Sequence, residues 1–156
     1  MENLIAAVTA AILSLLPLWK SNEAHERADK YAEIIVEETQ AVEPEISPFL
    51  VTAIIFKESS FRSKVKGKRG EVGLMQIMPR GALTRTIITK PNLADVRTNI
   101  RVGVGHLHYW QNKCGSENID VWLSAYNSGK CKKSNYAKRI RRLYCKIFPG
   151  GCDKIS

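Results

Sequence analysis

The stretch Ser47–Glu58 constrains the fold more than any other part of the chain. Ser47 and Pro48 make a good helix start, with Ser in the N-cap position and Pro, whose fixed φ suits the first helical residue, directly behind it. Phe49 to Lys57 then runs mostly apolar and delivers Glu58 at its end. A helix that is apolar on most sides is buried on most sides, so the rest of the molecule must wrap around it. A chain of 156 residues has length enough for one such core, since a domain of this size buries about two-thirds of its unfolded surface.

The remaining segments also read as helices. From Glu23 to about Gln40, apolar residues at Ala24, Ala28, Tyr31, Ile34 and Ile35 fall near helical spacing with charges between them. Pro44 and Pro48 bracket a short linker. Residues 62–72 are basic, carry two glycines and read as a loop. Leu74 to Arg85 reads as helical after Gly73, and residues 86–95, with Pro91, as irregular. Ile100, Val104, Leu107 and Trp110 share one face between Val96 and Trp110. Val121–Tyr126 is another apolar stretch, and Ser134 can cap a final helix through Cys145. Alternating strand patterns, repeats and low-complexity tracts are missing, so a mainly α domain follows.

The N-terminus is set apart. Leu4 to Trp19 carries no charge and is longer than a signal-peptide core but shorter than a full membrane helix. Pro17 and Trp19 stand where the run meets Lys20, as at a membrane interface. Residues 1–20 are therefore read as a membrane anchor or export signal, with membrane contact through residues 4–19, and residues 21–156 as the folded domain.

The cysteines fall at 114, 131, 145 and 152, without a C-x-x-C pair, which argues against a zinc site and for two disulfides in an oxidising compartment. The preferred pairing is Cys114–Cys131 with Cys145–Cys152, each closing a short loop. No metal or cofactor is expected. The net charge of +9 concentrates the chain near polyanions, whether nucleic acid, anionic lipid or a bacterial envelope. Charge alone does not choose among them, and no specific nucleic-acid binding is expected.

Three places hold the chemistry. Glu58, flanked by Ile54, Ile55 and Phe61, is a carboxyl group in an apolar setting. Burial disfavours its charged form and raises its pKa, as a general acid requires. Gly73-Leu74-Met75-Gln76-Ile77-Met78-Pro79 places an amide among apolar residues, suited to hydrogen bonding a sugar. Ala125-Tyr126-Asn127-Ser128-Gly129 reads as a helix end opening into a polar turn. Taken singly, each is also what an exposed helix end, a core-filling turn or a plain cap would look like.

In this order, with Glu58-Ser59-Ser60-Phe61 at the head, the three resemble the lytic transglycosylase domain of the soluble-murein-transglycosylase type, over about residues 43–145. Leu93-Ala94-Asp95 and Asn99-Ile100 through Gly103 also match that family's pattern. The resemblance implies a lysozyme-like α fold with a groove for a glycan strand, Glu58 as general acid and then base, and Gln76, Met78, Tyr126 and Asn127 lining the sugar subsites. Tyr136 resembles the family's last tyrosine, and Ser59 is expected to be structural. The gap of 17 residues between Glu58 and Gln76 is shared with the family. Two departures stand out: Ser63 where the family often has Pro, and Gly67 where it often has Ser.

The activity implied is cleavage of the β-1,4 bond between N-acetylmuramic acid and N-acetylglucosamine in peptidoglycan, closing a 1,6-anhydro ring. Peptidoglycan strands are then the partner. The setting is the cell envelope, the periplasm or a virion. A hydrolytic muramidase is the alternative; it needs a second carboxylate, for which Glu71 and Asp95 are candidates. An inactive glycan-binding module is the other alternative.

Overall fold

The structure is a computed structural model, and it describes residues 1–87, 92–115 and 117–148. Within these lie helices α1 (Glu2–Leu15), α2 (Asn22–Gln40), α3 (Pro48–Ser59), α4 (Ala82–Ile87), α5 (Val96–Cys114), α6 (Ile119–Ser128) and α7 (Asn135–Ile147). Among the described residues the only extended pairing is two isolated bridges, Lys66 with Val72 and Val72 with Ile77.

The apolar run in α3 has the expected consequence. Every residue from Pro48 to Ile55 is buried, and α1, α2 and α7 all pack on this helix. Pro48 is its first residue, although Ser47 makes no side-chain cap bond. On α2 the periodic face of Ala28, Tyr31, Ala32, Ile35 and Val36 is buried, and Ser21 Oγ caps its start by accepting from Ala24 N at 3.2 Å. Helix α5 crosses α2 and is tied to it by charge. Arg97 donates to Glu37 at 2.6 Å and to Glu38 at 3.1 Å, and Arg101 donates to Glu38 at 3.1 Å. Glu38 is itself only 8% exposed; Glu37 and then Glu38 hold Arg97 in its charged form, and Glu38 holds Arg101.

Two expectations meet a different structure. The first concerns the N-terminal run. The sequence reads it as a membrane anchor or export signal; in the structure its helix joins the bundle, with Val8, Ala11, Ile12 and Leu15 buried in the same core as α3. Those positions are spaced i, i+3, i+4, i+7, which is the stripe of a helix lying on a core. Trp19 packs edge-on to Phe61 at 6.4 Å, with the Arg27 guanidinium 5.3 Å over its ring. In the structure residues 2–15 thus share the core of the residues that follow them. Among the described residues no helix is long and apolar enough to cross a membrane.

The second concerns Leu74–Arg85, which is not one helix. Gly73 and Gln76 take φ of +79° and +49°, breaking any helical path, and Pro79 blocks its continuation. Helix α4 begins only at Ala82. At Gly73 a β-carbon would lie 2.8 Å from Leu93 O and collide with the Asn99 amide, so only glycine fits. Asn99, 1% exposed, is the reason the turn holds. Its Oδ1 accepts from Met75 N at 2.8 Å, while its Nδ2 donates to Val72 O at 2.8 Å and Leu93 O at 2.9 Å.

Cys114 and Cys131 form a disulfide with Cα atoms 5.5 Å apart, as expected. The other expected bridge ends on Cys152, which lies outside the described residues, as does Pro91.

Candidate active site

Glu58 is the penultimate residue of α3, where the core ends. Ser60 and Phe61 follow with left-handed φ of 50° and 59°, turning the chain sharply away. Phe61 drops back into the core, stacked 6.0 Å from Tyr31, and Ser59 Oγ donates to Ile55 O at 3.1 Å. Ser59 is thus spent on its own helix. The Glu58 carboxyl is left half-buried at the floor of a cleft.

That position shifts its acidity. Desolvation is the main effect and raises the Glu58 pKa above the ordinary carboxylate value. The Tyr136 phenol opposes it by donating to Glu58 Oε1 at 2.6 Å, a bond that favours the ionised form. Lys57 adds a smaller downward pull and Glu71 a smaller upward one. Burial pushes the phenols of Tyr126 and Tyr136 well up, so both remain protonated donors.

The cleft holds about 370 Å³ and is lined by Glu58, Gln76, Met78, Tyr126 and Asn127 among others. The structure thus brings five of the six residues singled out in the sequence to one surface. The sixth, Tyr136, reaches Glu58 from α7. The geometry also refines what each offers. Gln76 Nε2 is spent on Gly73 O at 2.9 Å and Val65 O at 3.3 Å, which leaves its Oε1 as the available atom. Tyr126 Oη donates to Met75 O at 2.8 Å, so Tyr126 anchors the turn and offers the cleft its ring. Asn127 is exposed, and Met78 is 40% exposed at the rim.

Sequence reasoning passed over several lining residues, His106 and Trp110 among them. Both lie on α5, where the sequence puts Trp110 on one face with Ile100, Val104 and Leu107. His106 Nε2 lies 3.3 Å from Thr84 Oγ1, and burial pushes its pKa down to about 4, so it is neutral near neutral pH. The signal was its i+7 spacing from Asn99, which places it on the same face of α5, two turns beyond the residue that holds the cleft wall.

Of the two candidate second carboxylates, Asp95 is the N-cap of α5, its Oδ2 accepting from Thr98 N at 2.8 Å, and does not line the cleft. Glu71 does. Its carboxylate is held below its ordinary pKa, chiefly by its own backbone N–H and then by Arg69, whose Nε donates to it at 2.8 Å. Among the described residues no cluster of three His, Cys, Asp or Glu could hold a metal.

A bundle of helices around one apolar helix, ending in a raised-pKa carboxyl at the floor of a cleft, defines a lysozyme-like α domain. The model of the transglycosylase SLT domain matches residues 36–144, and the chain belongs to that family. It is 38% identical over 93 residues to the soluble lytic murein transglycosylase of Escherichia coli strain K12 and 37% identical over the same length to that of Salmonella typhimurium. Each of these matches covers 54% of this chain but only 14% of the relative's length. The crystal structure of the 70 kDa soluble lytic transglycosylase of Escherichia coli is similar in fold, with a TM-score of 0.57 and 26% identity, over 89% of this chain and 23% of that one.

Proposed function

We propose that this chain is a peptidoglycan lytic transglycosylase. It cleaves the β-1,4 bond between N-acetylmuramic acid and N-acetylglucosamine and forms a 1,6-anhydromuramic end, for local opening of the wall. The observation that carries this reading is the Glu58 carboxyl: half-buried, raised in pKa, bonded to Tyr136 and open to a cleft of sugar size. The family relatives, named as murein transglycosylases, support it.

The chemistry needs one acid used twice. Protonated Glu58 gives its proton to the glycosidic oxygen as the C1–O bond breaks. The substrate's own acetamido group meets the positive charge left at C1, a substrate-assisted route. The carboxylate, now stabilised by the Tyr136 phenol, takes the proton from the C6 hydroxyl, whose oxygen bonds to C1. Glu58 ends protonated as it began, and no water is consumed. Such proton transfer by a placed group contributes about 10²–10⁴-fold, and orientation in the cleft supplies much of the rest. In this reading Gln76 Oε1, Asn127, the Tyr126 ring and Met78 contact the sugars. A setting outside the cytoplasm, in an envelope or on a virion, fits that substrate and the Cys114–Cys131 disulfide.

One observation favours a second reading. Glu71 shares the cleft with Glu58 and is ionised, so it could activate water for hydrolysis. Mass spectrometry of sacculi digested by the full chain separates the two, with a Glu58→Gln control. Fragments lacking the mass of one water support the anhydro product. Reducing ends alone would remove it in favour of hydrolysis, and lysis undiminished in Glu58→Gln would remove Glu58 from its role.

A further inference from the structure

Two acceptor oxygens, Glu71 Oε2 and Gln76 Oε1, lie close together over Gly67. Gly67 lines the cleft, and a β-carbon built on it would lie 2.7 Å from Gln76 Oε1 and collide with Glu71 Oε2. Both oxygens therefore flank the one spot that any side chain at residue 67 would fill. Their other commitments leave capacity there. Gln76 spends only its Nε2 protons on the loop carbonyls. Glu71 accepts from its own backbone N–H, from Arg69 N at 3.0 Å and from Arg69 Nε at 2.8 Å, and a carboxylate has about four acceptor sites. The Glu71 side chain is 13% exposed, hence packed into the wall rather than swinging in solvent, and Arg69 braces it from the outside. Two fixed acceptors facing one opening in a cleft select a ligand that brings a donor. The serine that the family pattern would put at residue 67 would have to push the ends of the Glu71 and Gln76 side chains aside.

We propose that Glu71, together with Gln76 Oε1, binds a hydrogen-bond donor of the glycan, an N–H or hydroxyl on an uncharged part of a sugar, and so sets where the strand sits against Glu58. This rests on the glycan-cleaving role proposed above. Glu71 stands in for a hydroxyl that a larger residue 67 would supply, and it turns away anionic parts of the substrate, such as a lactyl or peptide carboxylate, from this spot.

The test uses the full chain with Glu71→Ala, Gly67→Ser and the double variant Gly67→Ser/Glu71→Ala. Three quantities are read: kcat and KM on purified sacculi, the affinity for the N-acetylglucosamine tetramer, and the Tm. Glu71→Ala is expected to raise KM and weaken tetramer binding about tenfold with little change in Tm, the loss of a hydrogen bond to a charged group. Gly67→Ser is expected to lose activity through the collision with Glu71. The double variant, with the carboxylate gone and a hydroxyl in its place, is expected to recover tetramer affinity beyond Glu71→Ala. Wild-type KM and tetramer affinity in Glu71→Ala would overturn the proposal, as would a double variant no better than Glu71→Ala. Loss of lysis in Glu71→Ala at unchanged tetramer affinity, with reducing-end products from the wild type, would also overturn it and make Glu71 a water-activating base. If no variant and no wild type releases cleaved glycan, the catalytic reading fails by itself, and tetramer affinity still decides the role of Glu71.

Discussion

Replacing Tyr136 with Phe tests how the site controls its acid. The phenol donates to Glu58 Oε1 at 2.6 Å, the distance of an O–H bond to an ionised oxygen. Burial raises the Glu58 pKa, and this bond is the largest influence opposing it. Phe keeps the ring and removes only the donor, so the ionised form loses its support and the protonated form does not. A hydrogen bond to a charged group is worth about 1.5–3 kcal/mol, and one pKa unit corresponds to about 1.4 kcal/mol. The Glu58 pKa should therefore rise further, by about one to two units. The sign follows for activity. A general acid works while protonated, so the alkaline limb of kcat/KM moves to higher pH by the same one to two units. The second step suffers, because the carboxylate that must wait for the C6 hydroxyl is less stable, and kcat at the optimum falls. The assay is the initial rate of clearing of purified sacculi as a function of pH, for wild type and Tyr136→Phe, within the range where thermal melting shows both folded. An alkaline limb that stays in place, or moves to lower pH, would refute the reasoning, since it would mean the phenol does not favour the ionised acid.

Glu58→Gln should abolish lysis and raise the Tm near neutral pH. A raised folded pKa means that the ionised carboxyl is penalised above that pKa and free of penalty below the unfolded value, so the Tm gain should vanish on acidification. Asn99→Ala should destabilise the fold by about 2–4 kcal/mol in denaturant titration, because it strands Met75 N and two carbonyls in the wall of the cleft. Activity should fall with it even where the chain remains folded. Replacing Cys114 and Cys131 together by Ser should cost about 3 kcal/mol, the loop-closure value for a bridge spanning 17 residues, measured the same way. A bridge whose loss left stability unchanged would show the α5–α6 connection to be ordered without it.

The helices were legible where a helix start or a periodic stripe marked them. Pro48 opened α3 without a side-chain cap, and the stripe on α2 marked its buried face. Two features were not legible, for different reasons. In the N-terminal run the stripe Val8, Ala11, Ile12, Leu15 is present, but the residues between are also uncharged, so total hydropathy masks the period. Hydropathy cannot separate a helix seeking lipid from one seeking a core. In the Gly73–Pro79 motif the apolar spacing suits a helix, and what forbids it is a side chain 24 residues further on: Asn99 supplies the bonds that a helix would otherwise make. Tertiary capping of this kind leaves no local trace. Of the site, Glu58 and the amide and phenol residues were legible as types in an order, while His106 and Trp110 were hidden inside an ordinary helix pattern.

The Glu58 acid and the 73–79 turn bear on the chemistry jointly. An acid held protonated has to stand where the core ends, and here it ends a helix whose residues Pro48 to Ile55 are all buried. A core cannot itself bind a polar strand, so the facing wall must be polar, yet rigid enough to fix a sugar within bonding distance. A helix would present side chains, with its backbone groups consumed. The 73–79 turn instead carries positive φ at Gly73 and Gln76 and is pinned from α5 by Asn99 and from α6 by Tyr126. Its intrinsic stability is therefore low and borrowed from two helices. A change that loosens the packing of α5 or α6 should reach catalysis through this turn before it unfolds the domain. Proteolysis or hydrogen exchange confined to residues 65–79 in Asn99→Ala, at a temperature where α2 and α3 remain protected, would be the signature. Exchange that instead rose together across all helices would show the turn to be an integral part of the cooperative core.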